Sequence, residues 1–291
     1  MSGRAAAFGA GVSAALGGLA AGWRYLWRRP VRVPRPRIGT AGLVELVALG
    51  ILVASLVAAS MILLDPLTPG LRGNLPLEVI RFFERITDLG LGGVVLWPIG
   101  LCLLLLFGVM PRLEPMGRRI AAAAAARVGF LFISIAGAGL VVLVLKYLLG
   151  RARPHAAMHM AGPHPQFTFD WLALKASFAS FPSGHSAVVF STAVAFAALF
   201  PRARVPLVLL AVLVASSRVV LGSHYPSDVL AGGAVATVFV LLMVKAFAAR
   251  RIVFSVASDG AISPMPGPSP RRLARLLAPA AARPALEEAR S

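Results

Sequence analysis

The chain has 291 residues, 58% of them hydrophobic and only 14% charged, with a mean hydropathy of +0.82. A soluble domain of this length is nearer a quarter charged, so the composition excludes an ordinary water-soluble globule and points to an integral membrane protein. The formal charge of +18 raises nucleic acid as a partner, but the basic stretches have no interleaved aromatics and no reading motif, which argues against it.

In chain order, residues 1–40 read as a basic cytoplasmic tail. Its Ala/Gly-rich stretch at 5–22 is followed, not preceded, by the basic cluster, so it is a poor signal peptide. Six apolar segments come next, at about 41–64, 91–110, 128–149, 184–200, 205–222 and 228–248. Six such runs with short connections predict an all-α polytopic bundle of six transmembrane helices over 41–248, without alternation of period two or internal repeats. Between the first two runs, NLPLEVIRFFERITDLG (74–90) puts Leu77, Ile80, Phe83 and Ile86 on one face and charges on the other, a helix lying at the outer membrane surface. The single cysteine, Cys102, sits inside an apolar run and reads as a small packing residue. Residues 249–291, rich in Pro, Ala and Arg, read as a basic, disordered tail.

Lys and Arg orient the bundle. Residues 1–40 hold seven, 111–127 four, 201–204 two and 245–291 eight. With six crossings these regions share one side, which makes it the cytoplasm and leaves both termini there. On the opposite side Arg72, Arg81 and Arg85 are offset by Asp65, Glu78, Glu84 and Asp88.

Three polar stretches fall at that second, extracytoplasmic boundary. Lys146 ends the third apolar run, FPSGH (181–185) opens the fourth, and SSRVVLGSHYPSD (216–228) joins the fifth to the sixth. Ionised groups near bilayer depth are costly, so three of them on one rim ask for a common purpose. Lys146 and Arg153 are seven residues apart and share a helical face if the helix continues until Pro154 stops it. With Arg218 they form a cationic set suited to a phosphate dianion. Ser183 and Gly184 add a hydroxyl and helix-start N–H groups. His224, four residues before Asp228, has the spacing for an imidazole whose tautomer a carboxylate fixes, leaving the other nitrogen as nucleophile. His185 is the matching general acid. Taken singly, Arg218 could snorkel to the interface, Ser183 could be a helix cap and Asp228 a dipole-favoured first-turn acid. Of the remaining polar residues, Arg151 reads as facing lipid headgroups. His155, His159 and His164 read as substrate-rim or solvent-exposed groups and not as metal ligands, with His155 the best placed to touch phosphate. Phe167, Phe169, Trp171 and Phe178 read equally well as an acyl-chain entrance or as interfacial anchors.

KYLLGRARP (146–154), PSGH (182–185) and SRVVLGSHYPSD (217–228), in that order, resemble the three-part signature of the type 2 phosphatidic acid phosphatase superfamily, which also includes the vanadium-dependent haloperoxidases. The resemblance covers about 41–248. It implies that Lys146, Arg153, Ser183, Gly184 and Arg218 hold the phosphate, that His224 forms a phosphohistidine oriented by Asp228, and that His185 protonates the leaving group, with no metal and no cofactor. The expected function is a membrane lipid phosphate or diphosphate phosphatase of a bacterial inner membrane, its site facing outward and its partners the lipid substrate and membrane lipids. Undecaprenyl diphosphate, phosphatidic acid, phosphatidylglycerol phosphate and the phosphates of lipid A are all substrates of the right class. A lipid phosphotransferase with the same intermediate, a vanadate haloperoxidase and a non-catalytic transporter or scaffold are the alternatives.

Overall fold

A computed structural model of the chain describes residues 40–267 throughout, together with Gly9, Ser13, Leu16–Gly18, Ala20, Ala21, Arg24, Arg28 and Pro30–Arg32. The expected disordered tail lies from 268 onward outside the described residues, as does most of the N-terminal tail. The helices are α1 (Thr40–Leu63), α2 (Leu77–Thr87), α3 (Gly92–Val109), α4 (Pro115–Leu149), α5 (Pro154–Ala157), α6 (Gly184–Leu199), α7 (Arg204–Val220) and α8 (Pro226–Ala249). Two short strands, β1 (Phe254–Val256) and β2 (Ile262–Pro264), follow.

Among the described residues five helical runs are, by length and composition, long and apolar enough to cross a membrane: Gly42–Leu67, Leu77–Arg112, Pro115–Leu149, Pro201–Val220 and Pro226–Ala249. The other expected span, α6, is apolar but has 16 residues. α4 begins at Pro115, well before the expected 128. The run of alanines at 121–126 propagates helix without registering as strongly hydrophobic, and Arg118, Arg119 and Arg127 interrupt the apolar count. The amphipathic segment is helical as expected. Ile80, Phe83 and Ile86 are half-buried on one face while Glu78, Arg81, Glu84 and Arg85 are exposed.

The chain divides into two compact units, Pro34–Ile99 with Phe130–Phe247, and Met1–Val33 with Gly100–Gly129 and Ala248–Ser291. In the first, α6 meets α7 through Val189, Ala193, Ala211, Val214 and Ala215. α4, α6 and α8 meet at Ala138, Val142, Ala187 and Ala236. The contacts are made by small residues, which let helix backbones approach closely where lipid removes the hydrophobic drive for helices to associate. A Cβ on Gly137 would lie 2.4 Å from the Phe239 ring, and one on Gly233 2.9 Å from Phe190. Large apolar residues such as Leu43, Val44, Leu101, Leu143, Leu209 and Leu241 are left on the outside, as a lipid-facing surface requires.

In the second unit, the hairpin pairs Phe254 with Pro264 and Val256 with Ile262, and the Arg127 guanidinium donates to the carbonyls of Met265 and Pro266 at 2.9 and 3.2 Å. Residues 254–264 are therefore ordered where the composition suggested a disordered tail. The apolar VFSV stretch is short enough to look like tail, and its partner strand is recognisable only once paired. Cys102 is exposed on α3 and is not a packing residue, because its neighbour Leu103 takes the inward position.

α4 ends at Leu149, so Lys146 and Arg153 do not share a helix face as expected. Gly150 adopts φ +57°, and an ideal Cβ there would fall 1.6 Å from the Asp170 carbonyl oxygen. The chain turns at this glycine and runs back along the loop: Asp170 N–H donates to Gly150, Ala152 N–H to Thr168 and Arg153 N–H to Ser177, at 2.8–3.0 Å. Pro154 then starts α5, where its missing N–H costs nothing, with Arg153 as the preceding cap residue. Gly150→Ala is expected to lower the melting temperature of the detergent-solubilised protein by more than about 5 °C. Gly139→Ala, whose Cβ would meet nothing within 4 Å, is expected to leave it unchanged; size-exclusion melts of both variants check this.

Candidate functional site

Local backbone chemistry brings the three stretches together within one unit. α7 closes at Gly222, whose φ of +67° is the left-handed cap, and the N–H groups of Ser223 and His224 both donate to the Arg218 carbonyl. His224 is thereby held next to the helix end that carries Arg218. Pro226 opens α8, and the third helical residue, Asp228, reaches back with Oδ2 to the Tyr225 N–H at 2.8 Å, as an acid does in a capping box. The Ser183 N–H donates to the Asp228 carbonyl at 2.9 Å. One turn further along α8, a Cβ on Gly232 would meet the Ser183 carbonyl oxygen at 2.4 Å. The starts of α6 and α8 are thus locked together through backbone contact that only glycine permits at that point.

At the start of α6, Ser183 is the N-cap, its hydroxyl accepting from the Ser186 N–H at 3.5 Å, and the Phe181–Pro182 peptide is cis. The first-turn N–H groups of Gly184 and His185 have no acceptor within the helix. The Lys146 ammonium lies 3.4 Å from where a Gly184 Cβ would be, directly over this turn. His185 packs against Gly90, where an added Cβ would approach its ring carbon to 2.9 Å. Lys146, Arg153, Arg218 and His224 all lie within electrostatic reach of His185.

None of Lys146, Arg153 and Arg218 forms an ion pair with a carboxylate among the described residues. Arg218 Nη1 donates to the Thr87 hydroxyl at 2.9 Å. The Nε groups of Arg153 and Arg218 are buried with no hydrogen-bond partner. Half-buried cations without a counter-ion are costly until an anion arrives to meet them, so the arrangement has the chemistry of an anion receptor. Two openings reach it. One is a cavity of about 830 Å³ lined by Arg72, Leu75, Ile80, Arg153, His155 and Ser223. The other is a cleft of about 200 Å³ lined by Gly90, Leu143, Lys146, Gly184, His185 and Val188.

His224 is buried, with Nδ1 at 3.5 Å from both Asp228 Oδ2 and Ser180 Oγ. Those acceptors set the Nδ1–H tautomer and leave Nε2 with its lone pair free. Burial pulls the imidazole down to about 4 against the opposing pull of Asp228, so His224 is neutral at physiological pH.

The geometry overturns the reading of Arg151 as a headgroup-facing side chain. It is fully buried, donating through Nη1 to Asp228 Oδ1 and the Ser227 hydroxyl, both at 2.7 Å, and through Nη2 to Asp65 Oδ2 at 2.8 Å. Nε and Nη2 both donate to the Gln166 carbonyl, and the guanidinium carbon sits 4.3 Å from the Tyr225 ring centroid. The half-buried Phe169 lies 5.7 Å from the same carbon, whereas Trp171 is exposed. Asp65 is likewise no surface countercharge. It is fully buried, accepting from the Ser227 N–H at 3.1 Å and from the Ser227 hydroxyl. The signal for Asp65 was a lone acid at the end of a long apolar run. Arg151 had none, since two arginines two residues apart look alike in sequence. His155 lines the larger cavity, and His164 packs edge-on against Phe167 at 6.2 Å.

The family model of the PAP2 superfamily matches residues 127–252. Over 131 residues, 45% of the chain, the sequence is 42% identical to the lipid A 1-phosphatases of Rhizobium johnstonii and Rhizobium etli. The matched stretch covers 52% and 55% of those proteins, so the chain spans about half the length of the curated relatives it matches. No solved structure matches the chain. The matched region contains the Lys146, Ser183–His185 and Arg218–Asp228 constellation, and it is over this region that the chain is similar to the PAP2 superfamily.

Proposed function

We propose that this protein is a membrane phosphatase that removes the 1-phosphate of lipid A, or of a closely similar glycolipid, through a phosphohistidine. The observation that carries the reading is the gathering around His185 of three cations, none with a carboxylate partner among the described residues, beside the neutral, buried imidazole of His224 with its free Nε2. Lys146, Arg153 and Arg218, with the Ser183 hydroxyl and the first-turn N–H groups of Gly184 and His185, hold the phosphoryl oxygens and take up the charge that spreads over them in the transition state. The His224 Nε2 lone pair attacks phosphorus as the P–O bond to the lipid breaks, and His185 delivers a proton to the leaving oxygen. In the second half, His185 takes a proton from water as that water attacks phosphorus. The N–P bond breaks and orthophosphate leaves.

The cleft beside His185 lies between apolar helices, which suits a leaving group whose chains stay in the bilayer. The distribution of Lys and Arg puts this end of the helices outside the cytoplasm, with α1, α3, α4, α6, α7 and α8 as six spans and both termini inside. α6 itself has only 16 residues, and the site at its start is read as lying at the outer lipid boundary, where the Lys146, His185 and Arg218 ends of the helices meet. The relatives' names favour lipid A over the other lipid phosphates.

Purified protein in detergent, with EDTA present, is expected to release orthophosphate from lipid A 1-phosphate faster than from phosphatidic acid or an isoprenyl diphosphate. Phosphate that appears on a second lipid instead would make the protein a transferase. No release from any lipid phosphate would overturn the reading. His224→Ala is expected to lower turnover by at least about a thousandfold, and acid-labile, base-stable label from [32P]-substrate should be lost with it. The acid limb of kcat/KM, corrected for the substrate's own ionisation near pH 6, is expected near pH 4. Protonation of His224 removes the nucleophile, so activity falls as pH drops through that value. A limb at 6.5 would mean that His224 is solvated.

A further inference from the structure

The ion cluster behind His224 contains one guanidinium and two carboxylates, all fully buried. Arg151 is clamped by the Gln166 carbonyl and the Tyr225 ring, and so cannot turn wholly toward either acid. Ser227 ties the two halves together. Its hydroxyl accepts from Arg151 and donates to Asp65, and its N–H donates to Asp65 as well. Asp228 uses Oδ1 for Arg151, which leaves Oδ2 for His224, Ser180 and the Tyr225 N–H.

We infer that Asp65 is a positioning residue for the phosphoryl-transfer step, acting through Arg151 and Asp228 on His224. Asp65 ends the first apolar run and lies outside the region matched by the family model. Without it, a single arginine would face a single aspartate, and the pair would present no net charge to the imidazole. With it, one negative charge remains in excess. When Nε2 bonds to phosphorus with Nδ1–H retained, the ring becomes cationic, and that excess charge balances it where burial weakens the screening by solvent. Asp65 also fixes which Asp228 oxygen faces the ring, because it holds Arg151 on the Oδ1 side.

The inference rests on the phosphohistidine reading, and its test separates the two. Asp65→Asn keeps the shape and the acceptor for the Ser227 N–H but removes the charge. It is expected to lower kcat by about 10- to 100-fold while KM and the inhibition constant for orthophosphate stay within about threefold, since the cationic cradle is untouched. Ser227→Ala keeps both charges and removes the bridging hydroxyl. It is expected to lower kcat by about 3- to 10-fold with the same unchanged binding, and it carries the test if Asp65→Asn does not fold. Turnover within twofold of wild type in the folded variants would overturn the inference. So would a parallel loss of kcat, phosphate binding and melting temperature, which is the mark of a structural role alone. If His224→Ala keeps its turnover, the phosphohistidine reading fails. If His224→Ala is inactive and Asp65→Asn is unimpaired, only the role of Asp65 fails.

Discussion

A guanidinium buried between two carboxylates is the constraint on which the rest of the site depends. Arg151 has no access to water, so every one of its polar contacts has to come from protein, and leaving it without a partner would cost several kcal/mol. Its partners lie at the end of α1, in the loop before α6 and at the start of α8. Satisfying one side chain therefore brings three remote segments to one point. The long loop between α5 and α6 is ordered for the same reason, since its Gln166 carbonyl and Ser180 hydroxyl are consumed by the cluster.

Two kinds of cation stand within a few residues of each other, and their surroundings divide the work. Arg151 is paired twice, whereas Lys146, Arg153 and Arg218 have no carboxylate among the described residues. The first kind stabilises the framework and faces the back of His224. The second kind is left wanting an anion, and surrounds the space in front of it. The imidazole lies between a negative side and a positive side, an arrangement suited to a ring that is neutral at rest and cationic when it carries a phosphoryl group.

Close packing makes this arrangement possible in lipid. Small residues at the contacts of α4, α6, α7 and α8 bring helix ends near enough for backbone groups to meet. The Ser183 N–H reaches the Asp228 carbonyl, and Gly232 admits the Ser183 carbonyl. The geometry of the candidate site is thus set by main-chain contacts between helix ends as much as by side chains, and the apolar exterior is free to meet the bilayer.

The residue types and their spacing were enough to show a membrane protein built largely of apolar helices and to pick out the polar residues that the fold gathers into the candidate site, because hydrophobic length and short motifs are local properties. The sequence alone determined that His224 and Asp228 stand four residues apart and that Lys146, Arg153 and Arg218 come near the ends of apolar segments. Tertiary structure alone decided the rest. That Gly150 and not Pro154 ends α4 depends on the Asp170 carbonyl across the turn. That Arg151 turns inward, and that Asp65 serves the site instead of the surface, depends on partners 86 and 77 residues away along the chain. Ion pairing over such separations leaves no periodicity to read, and only folding shows which charges are buried together.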